Sequence, residues 1–418
     1  MKEIYISGGK KLMGSVNISG SKNAALPILA STAMINEEIK INNVPELKDI
    51  LTMLNCLQHI GKNVSFDNNT VLIKPGKIKT GEVSYEFVNK MRASFNLLGP
   101  ICMINSSSKV GKPGGCNIGQ RPVDYHIDGL KALGFEYVEE HGDITLIKPE
   151  KFERELNYTL PYRSVGTTEQ LMSTAALING STTTLKNVAK EPEISDLQNF
   201  LNKCGAKISG AGTDEIQIIG VKKLNGCEHN VIPDRIEAGT YILAALGTRG
   251  NIKVKNINPE HIKELINVVK GMNAEVVIYD HEINVNGEKF LKTIDIETQP
   301  YPGFPTDLQP IITTVLSTIT GNSKVNERVF ENRFNYIGEL GRMGADVKVK
   351  NNCACIKGVE KLSGAEVTAT DIRAGAALVI AGLIAEGESV ISDSDHIFRG
   401  YELLEEKISG LGGSIKIY

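Results

Sequence analysis

Six times along the chain a helix-like segment stops in a tight turn and passes straight into a strand-like one: LQHIGKNVSF, LKALGFEYVE, LNKCGAKISG, VKGMNAEVVI, GRMGADVKVK and ISGLGGSIKI. The turn residues are Gly61, Gly134, Gly205, Asn273, Gly344 and Gly412, spaced 68 to 73 residues apart. Glycine, and less often asparagine, lets a helix end in the left-handed conformation that a Cβ disfavours. Self-similarity at a fixed period means one supersecondary unit used repeatedly, here six times.

Each unit carries a second helix upstream: NAALPILASTAMI, RASFNLLGPICMI, TEQLMSTAALI, EAGTYILAAL, DLQPIITTVLSTI and RAGAALVIAGLIA. These are apolar nearly all round, the pattern of interior helices. A short strand follows, as in EIKINNV or NIKVKNI, then a loop, the amphipathic helix and two more strands. Mixed units of this kind predict an α/β fold with buried helices. The sixth unit stops at SIKIY before its expected strand pair, and EIYISGGKKLMGSVNIS at the other end resembles the missing pair. Residues 1–20 are therefore expected to complete the last unit. One domain would be continuous, 21–231, and the other discontinuous, 1–20 plus 232–418, with a ligand site in the cleft between them.

A chain of 418 residues, 41% hydrophobic and 23% charged, has ample material for buried cores. Its formal charge of −3 argues against a global nucleic-acid binder or polybasic membrane anchor, so an anionic ligand must meet local Lys and Arg. No apolar run reaches the roughly 20 residues of a membrane span, and the start MKEIYISGGKK lacks the apolar run of a signal peptide. Seven scattered cysteines then read as reduced thiols in a cytoplasmic protein. Cys353 and Cys355 lack zinc-knuckle spacing and a second ligand pair, so no metal is expected and both are assigned to packing. Cys56 and Cys204, on amphipathic helices, are expected in the core.

Polar residues gather where the buried helices begin: Lys22 and Asn23, Arg92, Ser164-Val165-Gly166-Thr167, Arg235 and Glu237, Asp307, and Asp371 with Arg373. A helix N-terminus offers unpaired N–H groups and partial positive charge, which suit a phosphate or carboxylate. Asp307 and Ser164 have a plainer reading as helix caps. The second concentration is the glycine-rich stretch KVGKPGGCNIGQRPVDYHIDGL, 109–130, with Cys116, Arg121, Asp124 and His126. A cysteine beside Lys112 and Arg121 on such a loop is expected to be reactive. Corresponding loops elsewhere offer Arg333 and Arg399.

The segments GSKNAALPILAS, PGGCNIGQRPVDYHIDGL, SVGTTE, DRIEAGTY, GFPTDLQP, FENRF, DIRAGAALVIAGL and HIFRGYE, in order from residue 4 to 418, resemble the UDP-N-acetylglucosamine 1-carboxyvinyltransferase family of enolpyruvyl transferases. The resemblance implies two inside-out α/β barrels, each of three repeated units. It also implies a reaction: the enolpyruvyl group of phosphoenolpyruvate passes to the 3′-hydroxyl of UDP-N-acetylglucosamine by addition and elimination, releasing phosphate, with no cofactor. By position, Lys22, Arg121 and Arg399 would hold phosphoenolpyruvate, with Arg92 nearby, and Asn23 would meet the sugar. Arg121-Pro122-Val123-Asp124 and Ser164-Val165-Gly166 would hold the uridine diphosphate. Cys116 would assist protonation at C3 and be the target of the epoxide phosphonate fosfomycin. Asp307 would be the general base, with Arg333 and Asp371 in support. Tyr162-Arg163 and Thr167-Thr168-Glu169 depart slightly from the family pattern. A shikimate 3-phosphate enolpyruvyl transferase is the nearest alternative, and a thiol hydrolase using Cys116 and His126 is a different class.

Overall fold

The computed structural model describes residues 2–112 and 123–418. They form two compact units, one of 2–19 with Pro233–Tyr418 and one of 20–112 with 123–232. Each has its own apolar core. Among the described residues no helix is long and apolar enough to cross a membrane.

The described strands make six four-stranded sheets with one shared order. In each, an outer strand pairs in parallel with its neighbour and the remaining pairs are antiparallel. In the 20–232 unit the first sheet runs Glu228–Asn230, Ile39–Asn42, Thr70–Lys74, Asn63–Asp67. The strand nearest the end of this unit thus returns to pair with the first. The other unit does the same with the N-terminus. Ile4–Ser7 lies between Glu388–Ser392 and Ser414–Ile417, antiparallel to both.

The second N-terminal strand behaves differently from the expectation that residues 1–20 complete one unit. Met13–Asn17 leaves that sheet and pairs in parallel with Asn251–Lys255. The two N-terminal strands are shared between two sheets. The chain turns out at Gly8, where a Cβ would lie 2.1 Å from the Ala385 carbonyl oxygen and 2.2 Å from that of Gly382. Only glycine permits that approach.

All six turn residues have positive φ: Gly61 113°, Gly134 94°, Gly205 95°, Asn273 70°, Gly344 95° and Gly412 84°. The apolar helices are buried over most of their surface, and in Arg235–Gly247 and Gln309–Leu316 every residue is buried. Three of them are not single α-helices. NAALPILASTAMI ends its α-helix at Ser31 and closes with a 3-10 turn, Thr32–Met34. RASFNLLGPICMI splits into a 3-10 turn, Arg92–Leu97, and an α-helix, Leu98–Asn105. DLQPIITTVLSTI follows a 3-10 turn, Thr306–Leu308, with the α-helix Gln309–Leu316. Pro100 and Pro310 each fall in the first α-turn, where the missing N–H leaves no helical bond unmade.

Cys56 and Cys204 are buried, but the packing assigned to Cys353 and Cys355 needs correction. Strand Cys353–Lys357 turns Ala354 and Ile356 inward, leaving Cys353 half-buried and Cys355 exposed. Period-two alternation keeps the thiols on one face, and the more apolar pair takes the core.

Candidate functional site

In the 20–232 unit, Ser21 caps helix Lys22–Ser31 by accepting from the Ala24 N–H at 3.2 Å. Lys22 is the first helical residue, with its side chain only 9% exposed. Its Nζ lies 3.1 Å from Oδ2 of Asp49, itself buried on helix Lys48–Ile60. A buried ammonium needs such a partner to keep its charge. Asp49 is a first-turn acid of its helix that nothing in the sequence ties to Lys22; only the fold brings the two together. Asn23 is half-buried beside it.

Three of the predicted segments converge on one buried histidine. Val123 and Asp124 stand at the start of helix Asp124–Ala132, where His126 is buried. His126 Nδ1 is 2.6 Å from Gln170 Oε1, and Gln170 Nε2 donates to the Phe95 carbonyl at 3.0 Å. Phe95 belongs to the turn that Arg92 opens, and packs edge-on against the His126 ring. Gln170 belongs to helix Val165–Ala175, whose Gly166 sits so near the His126 ring that a Cβ would be 3.2 Å from Cε1. Burial, against a raising bond to Gln170 and with help from the Arg92 charge, pushes His126 down to about 4. It is a neutral, positioned ring, a poor fit to the base required by a thiol hydrolase. Ser164 is a cap, accepting from the Thr167 N–H at 3.3 Å and the Thr167 hydroxyl at 2.9 Å. Cys116, Arg121 and Pro122 lie outside the described residues.

On the same helix as Gln170, burial pushes the Glu169 carboxyl up to about 8, although Asn96 Nδ2 donates to it at 2.9 Å. A carboxyl raised in the folded state is stabilising below its unfolded value near 4.5, and that contribution is lost as pH climbs through 8. Glu169→Gln has no such proton to hold. It should therefore be more stable than the parent at pH 8 by about 2–4 kcal/mol, the difference shrinking towards pH 5. Denaturant unfolding of both proteins at the two pH values measures this; a difference independent of pH would show that Glu169 is not held neutral.

In the unit of 2–19 with 233–418, Asp307 is not a helix cap. The cap position of its 3-10 turn is Pro305, and no side chain caps it. The carboxylate instead accepts from Arg333 Nη2 at 2.6 Å on Oδ1, and from Arg373 Nε at 3.1 Å and Nη2 at 2.9 Å on Oδ2. Both arginines are buried, while the Asp307 side chain keeps 27% of its exposure. Burial weighs against the Arg373 charge, but Asp307 together with Tyr401 and Asp234 outweighs it and holds the guanidinium above its ordinary value. Arg373 had been visible only as a helix opener. Asp371 caps Ile372–Ile384, accepting from the N–H groups of Arg373 at 2.9 Å and Ala374 at 3.1 Å. Arg399 ends the 3-10 turn Ser394–Arg399 and is half-buried.

Glu237, named among the polar residues that open the buried helices, centres a second charged cluster whose partners the sequence did not indicate. Glu237, buried on Arg235–Gly247, accepts from Lys407 Nζ at 2.6 Å and from the Ser19 N–H at 2.8 Å. Burial pushes its carboxyl up to about 7, against the opposing pull of Lys407.

Residues 6–408 match the family model described as EPSP synthase (3-phosphoshikimate 1-carboxyvinyltransferase). The UDP-N-acetylglucosamine 1-carboxyvinyltransferase of Kosmotoga olearia is 58% identical over 418 residues, covering 100% of this chain and 99% of its own. That of Thermotoga maritima is 49% identical over 419 residues, with 100% and 99% covered. Among solved structures, the enolpyruvyl transferase NikO from Streptomyces tendae aligns with a TM-score of 0.89 at 22% identity, over 100% of this chain and 98% of its own. EPSP synthase from Acinetobacter baumannii aligns at 0.77 and 17% identity over 100% of both chains. The structural likenesses establish a shared mixed α/β fold, and the full-length sequence likenesses go further: the chain belongs to the enolpyruvyl transferase family, among the UDP-N-acetylglucosamine 1-carboxyvinyltransferases.

Proposed function

We propose that the protein transfers the enolpyruvyl group of phosphoenolpyruvate to the 3′-hydroxyl of UDP-N-acetylglucosamine, releasing phosphate, as the committing step of peptidoglycan synthesis in a bacterial cytoplasm. The observation that carries this is the 58% identity, end to end, with a relative named for that activity. In the same reading the fold is two inside-out α/β barrels of three units each, 21–231 and 1–20 plus 232–418. The common order of the six sheets supports that description.

Lys22, Arg121 and Arg399, with Arg92 near, would bind the phosphate and carboxylate of phosphoenolpyruvate and stabilise charge as it shifts during addition and elimination. Asp49 would hold the Lys22 side chain in place until the donor arrives. Cys116 would deliver the proton to C3, leaving the new bond to the acceptor oxygen at C2. It is also the expected site of alkylation by fosfomycin. Asn23 would contact the sugar, while Arg121-Pro122-Val123-Asp124 and Ser164-Val165-Gly166 would take the uridine diphosphate. The His126–Gln170 pair supports this assignment by fixing the first turn of Asp124–Ala132 against the middle of Val165–Ala175.

Asp307 would accept the proton of the acceptor hydroxyl. A carboxylate bound by two guanidinium groups is a weak base. Its basicity would rise as substrate anions draw on the charge of Arg333 and Arg373, and Asp371 would hold the helix end that carries Arg373. Transfer to shikimate 3-phosphate is the alternative acceptor chemistry on this fold. Phosphate release from phosphoenolpyruvate with each acceptor in turn distinguishes them.

A further inference from the structure

Two thiols with no part in that chemistry lie together in the 20–232 unit. Cys204 follows helix Pro192–Lys203 as its C-cap and is fully buried; Cys227 precedes strand Glu228–Asn230 and is half-buried. Their sulfurs are 3.2 Å apart. We propose that Cys204 and Cys227 are a redox modification site, a dithiol that a small disulfide converts into an internal protein disulfide.

Both ends of the pair are held by backbone bonds. The Cys204 N–H donates to the Phe200 carbonyl at 3.1 Å, and its own carbonyl accepts from the Asn225 N–H at 2.8 Å. The Cys227 carbonyl accepts from the Lys40 N–H at 3.0 Å, and the neighbouring Gly226 N–H donates to Glu37 Oε2 at 2.9 Å. Bringing the sulfurs to bonding distance needs a movement of about 1 Å, within reach of side-chain rotation. Access is unequal, which sets the order of events. A hydrogen bond from the Cys204 thiol lowers the Cys227 thiol, burial opposes this, and the Lys203 charge assists. Donating that bond raises Cys204, and burial raises it further. Cys227 is therefore the entry point, and Cys204 the resolving thiol.

The Cys227 thiolate attacks one sulfur of a low-molecular-weight disulfide, breaking its S–S bond; the departing thiolate takes the proton that Cys227 gave up. The Cys204 sulfur then attacks Cys227 Sγ, forming the protein S–S bond and expelling the second small thiolate, which takes the Cys204 proton. Two protein thiols are oxidised, and one small disulfide is reduced to two thiols. The bond would fasten the end of helix Pro192–Lys203 to strand Glu228–Asn230, which closes onto the first sheet of the unit.

The full chain is incubated with oxidised glutathione, quenched with iodoacetamide under denaturing conditions and digested with trypsin without reduction. Mass spectrometry should find the peptide CGAK, containing Cys204, linked to LNGCEHNVIPDR, containing Cys227. Cys204→Ser should instead carry glutathione on Cys227, and Cys227→Ser should leave Cys204 unmodified. The proposal is overturned if Cys204 and Cys227 are both carbamidomethylated while Cys353 or Cys355 is oxidised. Glutathione remaining on Cys227 of the parent chain, with Cys204 free, overturns it equally.

Discussion

Replacing Asp307 with asparagine should reduce turnover about 100-fold or more, the usual scale for losing a general base. Affinity for UDP-N-acetylglucosamine should change little. Asparagine keeps the size of the side chain and one oxygen for Arg333 or Arg373, but cannot accept a proton at neutral pH. Asp307→Ala is the harsher change, because it leaves two buried guanidinium groups without their shared carboxylate. It should lose the same turnover and also about 1–3 kcal/mol of stability, discounted for the partial exposure of Asp307. Single-turnover rate and thermal midpoint measured on the same samples separate the two effects. An asparagine variant with near-parent turnover would confine Asp307 to orienting the two arginines.

The second large effect concerns the N-terminus. Ile4 and Ile6 are almost fully buried in a strand with partners on both sides, and Leu12, Val16 and Ile18 join the same core. Truncating one such residue to alanine costs about 2–5 kcal/mol. Removing all of residues 2–19 should exceed the roughly 5–15 kcal/mol that holds a domain folded. Hydrogen exchange should then lose protection throughout 233–418, including Glu388–Ser392 and Ser414–Ile417, while 20–112 and 123–232 keep theirs. Unchanged protection in the two flanking strands would mean that Ile4–Ser7 is dispensable to its sheet.

Some of this was legible because it is local. The left-handed turns declare themselves through glycine or asparagine at the end of an amphipathic pattern, and continuous apolar runs mark the interior helices. The breaks beside Pro100 and Pro310 were not legible, because the unbroken apolar run on either side of each proline hid them. Pairings between distant residues were not legible. Asp49 stands 27 residues from Lys22, and Arg373 stands 66 from Asp307. No periodicity links either pair, because only the packing of separate helices brings them together. The same holds for His126 and Gln170, 44 residues apart, each resembling an ordinary helix residue until the other is placed beside it. Sequence similarity identified the N-terminal strand pair but not its division between two sheets, since which strand a chain joins depends on what the rest of the unit leaves unpaired.

The assignment of the acceptor is tested most directly by inorganic phosphate release from phosphoenolpyruvate at equal concentrations of UDP-N-acetylglucosamine or shikimate 3-phosphate. The account predicts release with the nucleotide sugar, one phosphate for each molecule converted, and only background release with shikimate 3-phosphate. Release driven by shikimate 3-phosphate, or none with UDP-N-acetylglucosamine in a folded protein, would contradict it.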